Sequence, residues 1–453
     1  MATTDKRATA NPTKQFFVTM ITRDITLEDC ILDLIDNSID GAWSCEGGKP
    51  IGLAEGADLA KYRVDIIASG GLFSIIDNCG GMTLDDAVNH AFSFGRPAKE
   101  EHDQYSIGVY GIGMKRAVFK IGRDIKVRST YKTAAGLSES FVVPINVNSW
   151  LNDDTPPWDF DIEASKHLIS NGVEISINDL TDGAAAAFES AAFLQNLRRT
   201  ISRDYSLHLN RGLTITLNGE KITGWTIELR QSDIFAPVRV EYTDHTGPDD
   251  VLVEIIAGMA APPPEDSDPD EEDEGDKRYG WYVVCNGRIV LAADKSTVAG
   301  WGTDNWPQWH RQYSGFIGII LFTSANAAAL PMTTTKRSVD QSSEVYRRAK
   351  PRMRDASRAW IDYTNVRKQA LEAAKEAEAA AKTVSIYQVA PRASVNLPKL
   401  VAAPRERVAN VAYSVPLARL KRLAKELGNS NMSYRDVGLK TFDYAFDDFV
   451  GED

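Results

Sequence analysis

Leu27–Trp43 reads LEDCILDLIDNSIDGAW, and its period decides how the rest of the chain is read. At about 100° per residue, Asp33, Asn37 and Asp40 fall in a narrow wedge of one helical face. Leu27, Ile31, Leu34, Ile35 and Ala42 form a stripe on roughly the opposite face, the pattern of a helix lying on a core. Alone, the wedge also fits a surface helix with solvated acids. Two motifs further down the chain argue against that reading.

The loop Glu46–Gly56 leads to Tyr62–Ala68 and Leu72–Asp77, two β-branched runs joined by Ser69-Gly70-Gly71 and read as a hairpin. The second run ends in Asp77-Asn78-Cys79-Gly80-Gly81-Met82-Thr83. A strand-end carboxylate followed by two glycines lets backbone approach a ligand closely, although ordinary turns use the same letters. Thr83–Phe92 reads as a short helix and Ser93–Ser106 as a polar loop. Gly108-Val109-Tyr110-Gly111-Ile112-Gly113-Met114-Lys115-Arg116 then opens a helix over Met114–Ile121. Three glycines before a helix leave bare N–H groups at the positive end of its dipole, which suits a phosphate. Lys115 adds a point charge one turn in. The spacing is neither the dinucleotide fingerprint nor Walker A, and alone it also suits a tight structural turn.

In this order, within about ninety residues, these three pieces resemble the GHKL ATPases: gyrase and type II topoisomerase ATPase subunits, ninety-kilodalton heat-shock chaperones, MutL and the MORC proteins. Ser93-Phe94-Gly95 and the run Ile107–Lys115 are most similar to MORC-type members. The resemblance implies ATP and Mg²⁺ as ligands. Asn37 would hold the metal, Asp77 would accept the adenine amino group, and Gly81 and Met82 would floor the adenine pocket. Gly108, Gly111, Gly113 and Lys115 would wrap the phosphates, with Asp40, Val109, Tyr110, Ile112 and Met114 alongside and residues 94–107 as a lid. Asp33 stands where the family has a water-activating Glu, one carbon–carbon bond (roughly 1.5 Å) shorter. Cys79 occupies the place of the first glycine, and Val173, in Gly172-Val173-Glu174-Ile175, lacks the hydroxyl that would assist Asp77.

The chain has 453 residues, 43% hydrophobic and 25% charged, enough for two or three domains with their own cores. Net charge is −12, so no general coating for nucleic acid is expected, only a local basic patch at most. Met1–Lys14 is polar, no apolar run has transmembrane length, and Cys30, Cys45, Cys79 and Cys285 form no CxxC pair. A reduced, cytoplasmic protein without membrane contact is the expectation.

The expected class is α+β. It comprises a GHKL (Bergerat) sandwich over residues 1–205, an S5-like transducer over 206–345, a helix over 346–383, a linker over 384–411 and a small C-terminal module over 412–453. Phe16–Thr22 is read as a strand ending an N-terminal arm, Asn146–Lys166 as an irregular loop, and a helix is expected around Phe188–Tyr205. Pro262–Lys277 is an acidic, proline-rich run without apolar anchors, read as a disordered loop. Leu330–Asp340 resembles the transducer loop whose lysine returns to the γ-phosphate, and Lys336 is the match. Arg347, Arg348, Lys350, Arg352, Arg354 and Arg358 face a single Asp355, which fits DNA backbone or a solvated helix face equally. Phe442, Tyr444, Phe446 and Phe449 mark a docking surface for a partner or a clasp on the body.

The resemblance implies an ATP-driven clamp that closes as a homodimer, with hydrolysis through Asp33 and possible work on DNA in a bacterial defence or genome-maintenance complex. A nucleotide-gated scaffold that scarcely hydrolyses ATP is the alternative. No histidine precedes the Leu27 helix, which argues against a sensor kinase, and no long client-binding middle region argues for a chaperone.

Overall fold

Thr26 starts the acid-bearing helix, its hydroxyl accepting the Asp29 N–H at 3.1 Å, in a computed structural model that describes residues 12–47, 58–93, 105–108, 111–153, 158–265, 277–400 and 409–451. That helix, α2 (Leu27–Cys45), follows α1 (Lys14–Arg23). A strand was expected at α1. The Thr13 hydroxyl caps it instead, and Lys14 and Val18, one turn apart, are buried while Phe16 and Met20 face outward. The apolar run therefore has a helical period.

β1 (Arg63–Ser69) and β2 (Leu72–Asp77) form the expected hairpin. A turn of helix, α3 (Leu84–Asp86), and the wider turn Ala87–Ala91 lead towards the lid, residues 94–104 of which lie outside the described ones. After it come α4 (Gly113–Ile121), β3 (Gly122–Lys132), β4 (Ser138–Asn146), α5 (Val147–Asn152), β5 (Glu163–Ala164) and β6 (Gly172–Leu180). The expected loop at Asn146–Lys166 thus carries α5, whose Trp150 stacks on Phe119 of α4. The helix expected around Phe188–Tyr205 is two, α6 (Asp182–Glu189) and α7 (Ala191–Asp204), because Ser190 breaks the first and caps the second. After α8 (Ser206–Asn210) come β7 (Thr214–Leu217) and β8 (Glu220–Ile222).

These strands make one eight-stranded sheet in the order β5-β4-β3-β6-β2-β1-β7-β8. β7 runs parallel to β1, so the first sheet extends past residue 206, where the sequence suggested a new unit. Burial alternates along the strands, as it must when one face is packed. Ile31, Leu34, Ile35 and Ile39 of α2 join Ala117, Val118 and Ile121 of α4 over Val64, Ile66, Ile75, Ile125 and Val127. The stripe on α2 is therefore its core face, leaving the acid wedge turned towards α4 and the glycine bend.

A second, five-stranded sheet has the order β10-β11-β14-β12-β13, from β10 (Val238–Asp244), β11 (Val251–Met259), β12 (Gly280–Cys285), β13 (Arg288–Asp294) and β14 (Phe316–Thr323). It is buried on both faces. One face packs on α9 (Glu344–Arg367), including Met353 and Trp360. The other packs on Leu229 of β9 (Glu228–Gln231) and on Ile386 and Val389. Residues 384–396 are thus no free linker. β15 (Lys382–Ser385) pairs with β9, and Arg392 and Asn396 bridge to Arg239 and Ala236. The Ala/Glu/Lys run forms α10 (Leu371–Ala379), where Glu378 is buried and takes both guanidinium arms of Arg367 and the Tyr363 hydroxyl. Most of the acidic run, 266–276, lies outside the described residues.

The chain divides into two compact units, Met1–Val401 and Ala402–Asp453. The second is a helical hairpin of α11 (Leu417–Glu426) and α12 (Tyr434–Phe449), with Ala424 and Val437 buried and Leu439, Phe442, Tyr444, Phe446 and Phe449 exposed. Among the described residues no helix is long and apolar enough to cross a membrane.

Candidate active site

β2 delivers Asp77 to the end of its strand, half-buried beside α2. Its Oδ1 accepts the Cys79 N–H at 2.9 Å and the Val173 N–H at 3.2 Å, while its Oδ2 accepts the Ser38 hydroxyl at 2.8 Å. Burial pushes the Asp77 carboxyl above the usual range, and the three donors oppose it. Val173 lacks a hydroxyl, but Ser38, one residue past Asn37 on α2, supplies one. Sequence reading missed Ser38. A lone hydroxyl in the middle of the apolar stripe, about 140° round the helix from Asp33, was the available signal.

Gly80 and Gly81 have φ of 100° and 81°, so both need glycine, whereas Cys79 keeps ordinary backbone in the place of the family's first glycine. A Cβ on Gly81 would lie 2.1 Å from the Thr130 carbonyl oxygen. Met82 is fixed next to it by the Ser129 hydroxyl, which accepts the Met82 N–H at 2.8 Å and donates to its carbonyl at 2.7 Å. The Gly81-Met82 corner is thus pinned to β3 a few residues after Asp77.

The glycine bend lies over the acid wedge. A Cβ on Gly108 would sit 3.3 Å from Asp40 Oδ2 and 4.0 Å from Asn37 Oδ1, and one on Gly113 would sit 3.4 Å from Asp33 Cγ. Asp40 accepts the Ile107 and Gly108 N–H groups at 2.7 and 3.0 Å, and so fixes the C-terminal root of the lid. Burial pushes the Asp40 carboxyl up to about 7, against those two N–H donors. Lys115 holds the other root, its ammonium donating to the carbonyls of Ala91 and Ser93 at 2.8 and 2.6 Å. Gly111 has φ of 63°, while Ile112, Gly113 and Met114 open α4. Val109 and Tyr110 lie outside the described residues.

Asn37 alone of the wedge is exposed, an open amide facing the bend. Among the described residues no three His, Cys, Asp or Glu side chains are grouped to hold a metal ion. The Asn37 side-chain oxygen is a donor of the kind that suits Mg²⁺, which keeps several waters and takes phosphate oxygens with few protein ligands.

The base candidate is engaged. Asp33 is buried, its Oδ2 gripped by Arg116 Nη2 and Nε at 2.6 and 3.0 Å and its Oδ1 facing Lys336 Nζ at 3.1 Å. Lys336 also donates to Asp36 Oδ2 at 2.7 Å. The loop after β14 therefore brings Lys336 onto α2 across three hundred residues of sequence. Arg337 anchors the same loop to Glu28 and Asp29 at the start of α2. Asp36, fully buried, also accepts from Arg288 and from the Tyr205 hydroxyl, the latter at 2.7 Å. Burial raises the Asp36 carboxyl, and the Arg288 and Lys336 charges more than offset it, holding it below the usual range. Asp36, Arg116 and Arg288 were given no role in the sequence reading, because their roles rest on partners distant in the chain.

Residues 25–172 match the family described as Histidine kinase-, DNA gyrase B-, and HSP90-like ATPase. This segment is a GHKL-type ATPase domain. The match begins just before α2 and ends at Gly172, where β6 opens, so it spans α2, Asp77 and the glycine bend. GHKL domains are ATP-binding units, generally ATPases, that commonly form dimers. No curated protein matches the chain.

Proposed function

We propose that the chain is a Mg²⁺-dependent clamp that binds and hydrolyses ATP and closes as a homodimer when it does so. The observation that carries this reading is Lys336, delivered from the second sheet's domain onto the acid wedge beside the glycine bend. Asp77 accepts the adenine amino group on the lone pairs left by Ser38, Cys79 and Val173. Bare N–H groups at the start of α4 face the phosphates. Asn37 would hold Mg²⁺ through its side-chain oxygen, and the ion when bound would neutralise phosphate charge. Lys336 couples the terminal phosphate to movement of the transducer, an order-on-binding switch. Asp33 takes the proton of the attacking water as the new oxygen–phosphorus bond forms and the bond to the departing ADP breaks. Closure of the lid, rooted by Asp40 and Lys115, shields the site.

A specific observation favours a second reading, a nucleotide-gated scaffold with negligible hydrolysis. Asp33 is shorter than the family's Glu and is clasped by two cations. Phosphate release from wild type, Asp33→Ala and Asp33→Glu separates the two. Turnover in wild type that falls to background in Asp33→Ala supports the enzyme, and background release in wild type leaves the scaffold.

The finer part of the proposal is MORC-like action on DNA. Arg348 is committed to Asp244 and Glu344, and Arg352 lies 4.0 Å over the Tyr242 ring, so Arg358 and Arg347, the latter in a surface pair with Glu344 at 3.8 Å, are the exposed cations of that helix offered to phosphate. A salt-dependent DNA shift that weakens in Arg347→Ala and Arg358→Ala supports it, and no binding at low salt removes it. The exposed aromatic face of α12 is proposed as the contact for a partner protein.

A further inference from the structure

The ion-paired cluster on α2 holds more positive than negative charge. Asp33 and Asp36 are the two carboxylates of the bonded cluster, and Arg116, Arg288 and Lys336 are its three cations, all of them buried or nearly so. Each carboxylate has its own arginine. Arg116 grips Asp33 through two nitrogens on one oxygen, and Arg288 reaches Asp36, which Tyr205 also serves. Lys336 is therefore the surplus cation. Its backbone adds to the picture, since φ is 56°, a left-handed conformation that a lysine rarely adopts.

The oxygens are unequally shared. Removing Lys336 leaves Asp36 with Arg288 and Tyr205 still bound, so no buried charge is orphaned. The same removal leaves Asp33 Oδ1 with no donor among the described residues, while Arg116 stays on Oδ2. Buried charges resist separation chiefly when a partner is left uncompensated. Here the residual pairs are complete.

We propose that Asp36 and its resident counter-ion Arg288 form a parking site for Lys336, which masks Asp33 Oδ1 at rest and leaves for the terminal phosphate of a nucleoside triphosphate. The inference rests on the ATP-clamp reading and adds its gate: one displacement brings charge to the phosphate and bares the base. Arg288 is a positioning residue, because it keeps Asp36 satisfied once the lysine has gone. Without it, Asp36 retains the lysine.

The test compares affinities of the full chain for a non-hydrolysable ATP analogue and for ADP, both with Mg²⁺, by calorimetry. Wild type is expected to prefer the triphosphate. In Arg288→Met the preference falls by about tenfold, within the range of ordinary site coupling, while ADP affinity stays within about twofold. Lys336→Met removes the preference in wild type and changes nothing further in Arg288→Met. The Asp36→Asn/Arg288→Met double variant, with both buried charges gone, regains the preference. Tyr205→Phe, a milder change for use if Arg288→Met does not fold, shifts the ratio the same way by less. Equal losses for ATP analogue and ADP, or an unchanged ratio in Arg288→Met and Tyr205→Phe, overturn the parking site and leave the ATP reading intact. A wild type that binds neither nucleotide removes both.

Discussion

The Ser38 hydroxyl donates to Asp77 Oδ2 at 2.8 Å, joining the helix that carries the acid wedge to the strand end that carries the proposed adenine acceptor. In the proposed site α2 would therefore serve both ends, with Asp33 and Asn37 towards the phosphates and Ser38 towards the base. Ser38→Ala removes a donor from a buried carboxylate. We expect a loss of about 1–2 kcal/mol in ATP affinity, with Ser38→Thr close to wild type, measured by calorimetry. Unchanged affinity in Ser38→Ala would separate Asp77 from adenine recognition.

Asp33→Ala is expected to lower turnover by about a hundredfold or more, the usual worth of a positioned general base. ATP affinity should stay within a few-fold of wild type, since Asn37 and Asp77 are untouched. Single-turnover phosphate release checks the first point and calorimetry the second. A turnover rate that survives the substitution would assign the base elsewhere.

Gly81→Ala places a Cβ 2.1 Å from the Thr130 carbonyl in a residue with φ of 81°. Gly136→Ala has nearly the same φ, 79°, with nothing within 4 Å. Backbone strain alone costs about 1 kcal/mol or slightly more, so Gly136→Ala should lower the melting temperature by only a few degrees. Gly81→Ala should cost several times as much and weaken nucleotide binding too. Equal melting temperatures in the two variants would show that the Gly81 corner gives way.

Asp40 carries a raised carboxyl, up to about 7, in the folded chain. Its folded form binds a proton more readily than its unfolded form, so its ionisation works against the fold as pH rises from about 4 to 7. Ionised, however, it is the stronger acceptor for the Ile107 and Gly108 N–H groups. Hydrogen-exchange protection of those two amides, corrected for intrinsic rates, should therefore fall as pH drops through 7 towards 5. Asp40→Asn should flatten both this profile and the pH slope of stability. A profile unchanged in Asp40→Asn would assign the effect to another group.

Periodicity made α2 and the β1–β2 hairpin legible, because each buries one face and writes that face into its sequence. Lys336 was legible only through resemblance, since nothing local to Thr335-Lys336-Arg337 says that it crosses to α2. Asp36 was hidden for the opposite reason: it sits among the apolar residues of the helix, and only Arg288 and Tyr205, far along the chain, reveal why a carboxylate is there. Phe16–Thr22 misled because a run of large apolar residues fits strand and helix alike until Thr13 is seen to cap it. Residues 384–396 misled because Pro391, with Pro398 and Pro404 after it, suggests a linker, while Ile386 and Val389 pack beneath the second sheet.

Titration of Mg·ATP into the full chain by calorimetry tests the central claim, that one nucleotide lies between the Asp33–Asp40 wedge and the Gly108–Lys115 bend. The account predicts saturable heat at one nucleotide per chain, strongly reduced in Asp77→Asn, in which an amide replaces the carboxylate that accepts the base. Absence of heat in wild type, or heat that Asp77→Asn leaves undiminished, would contradict it.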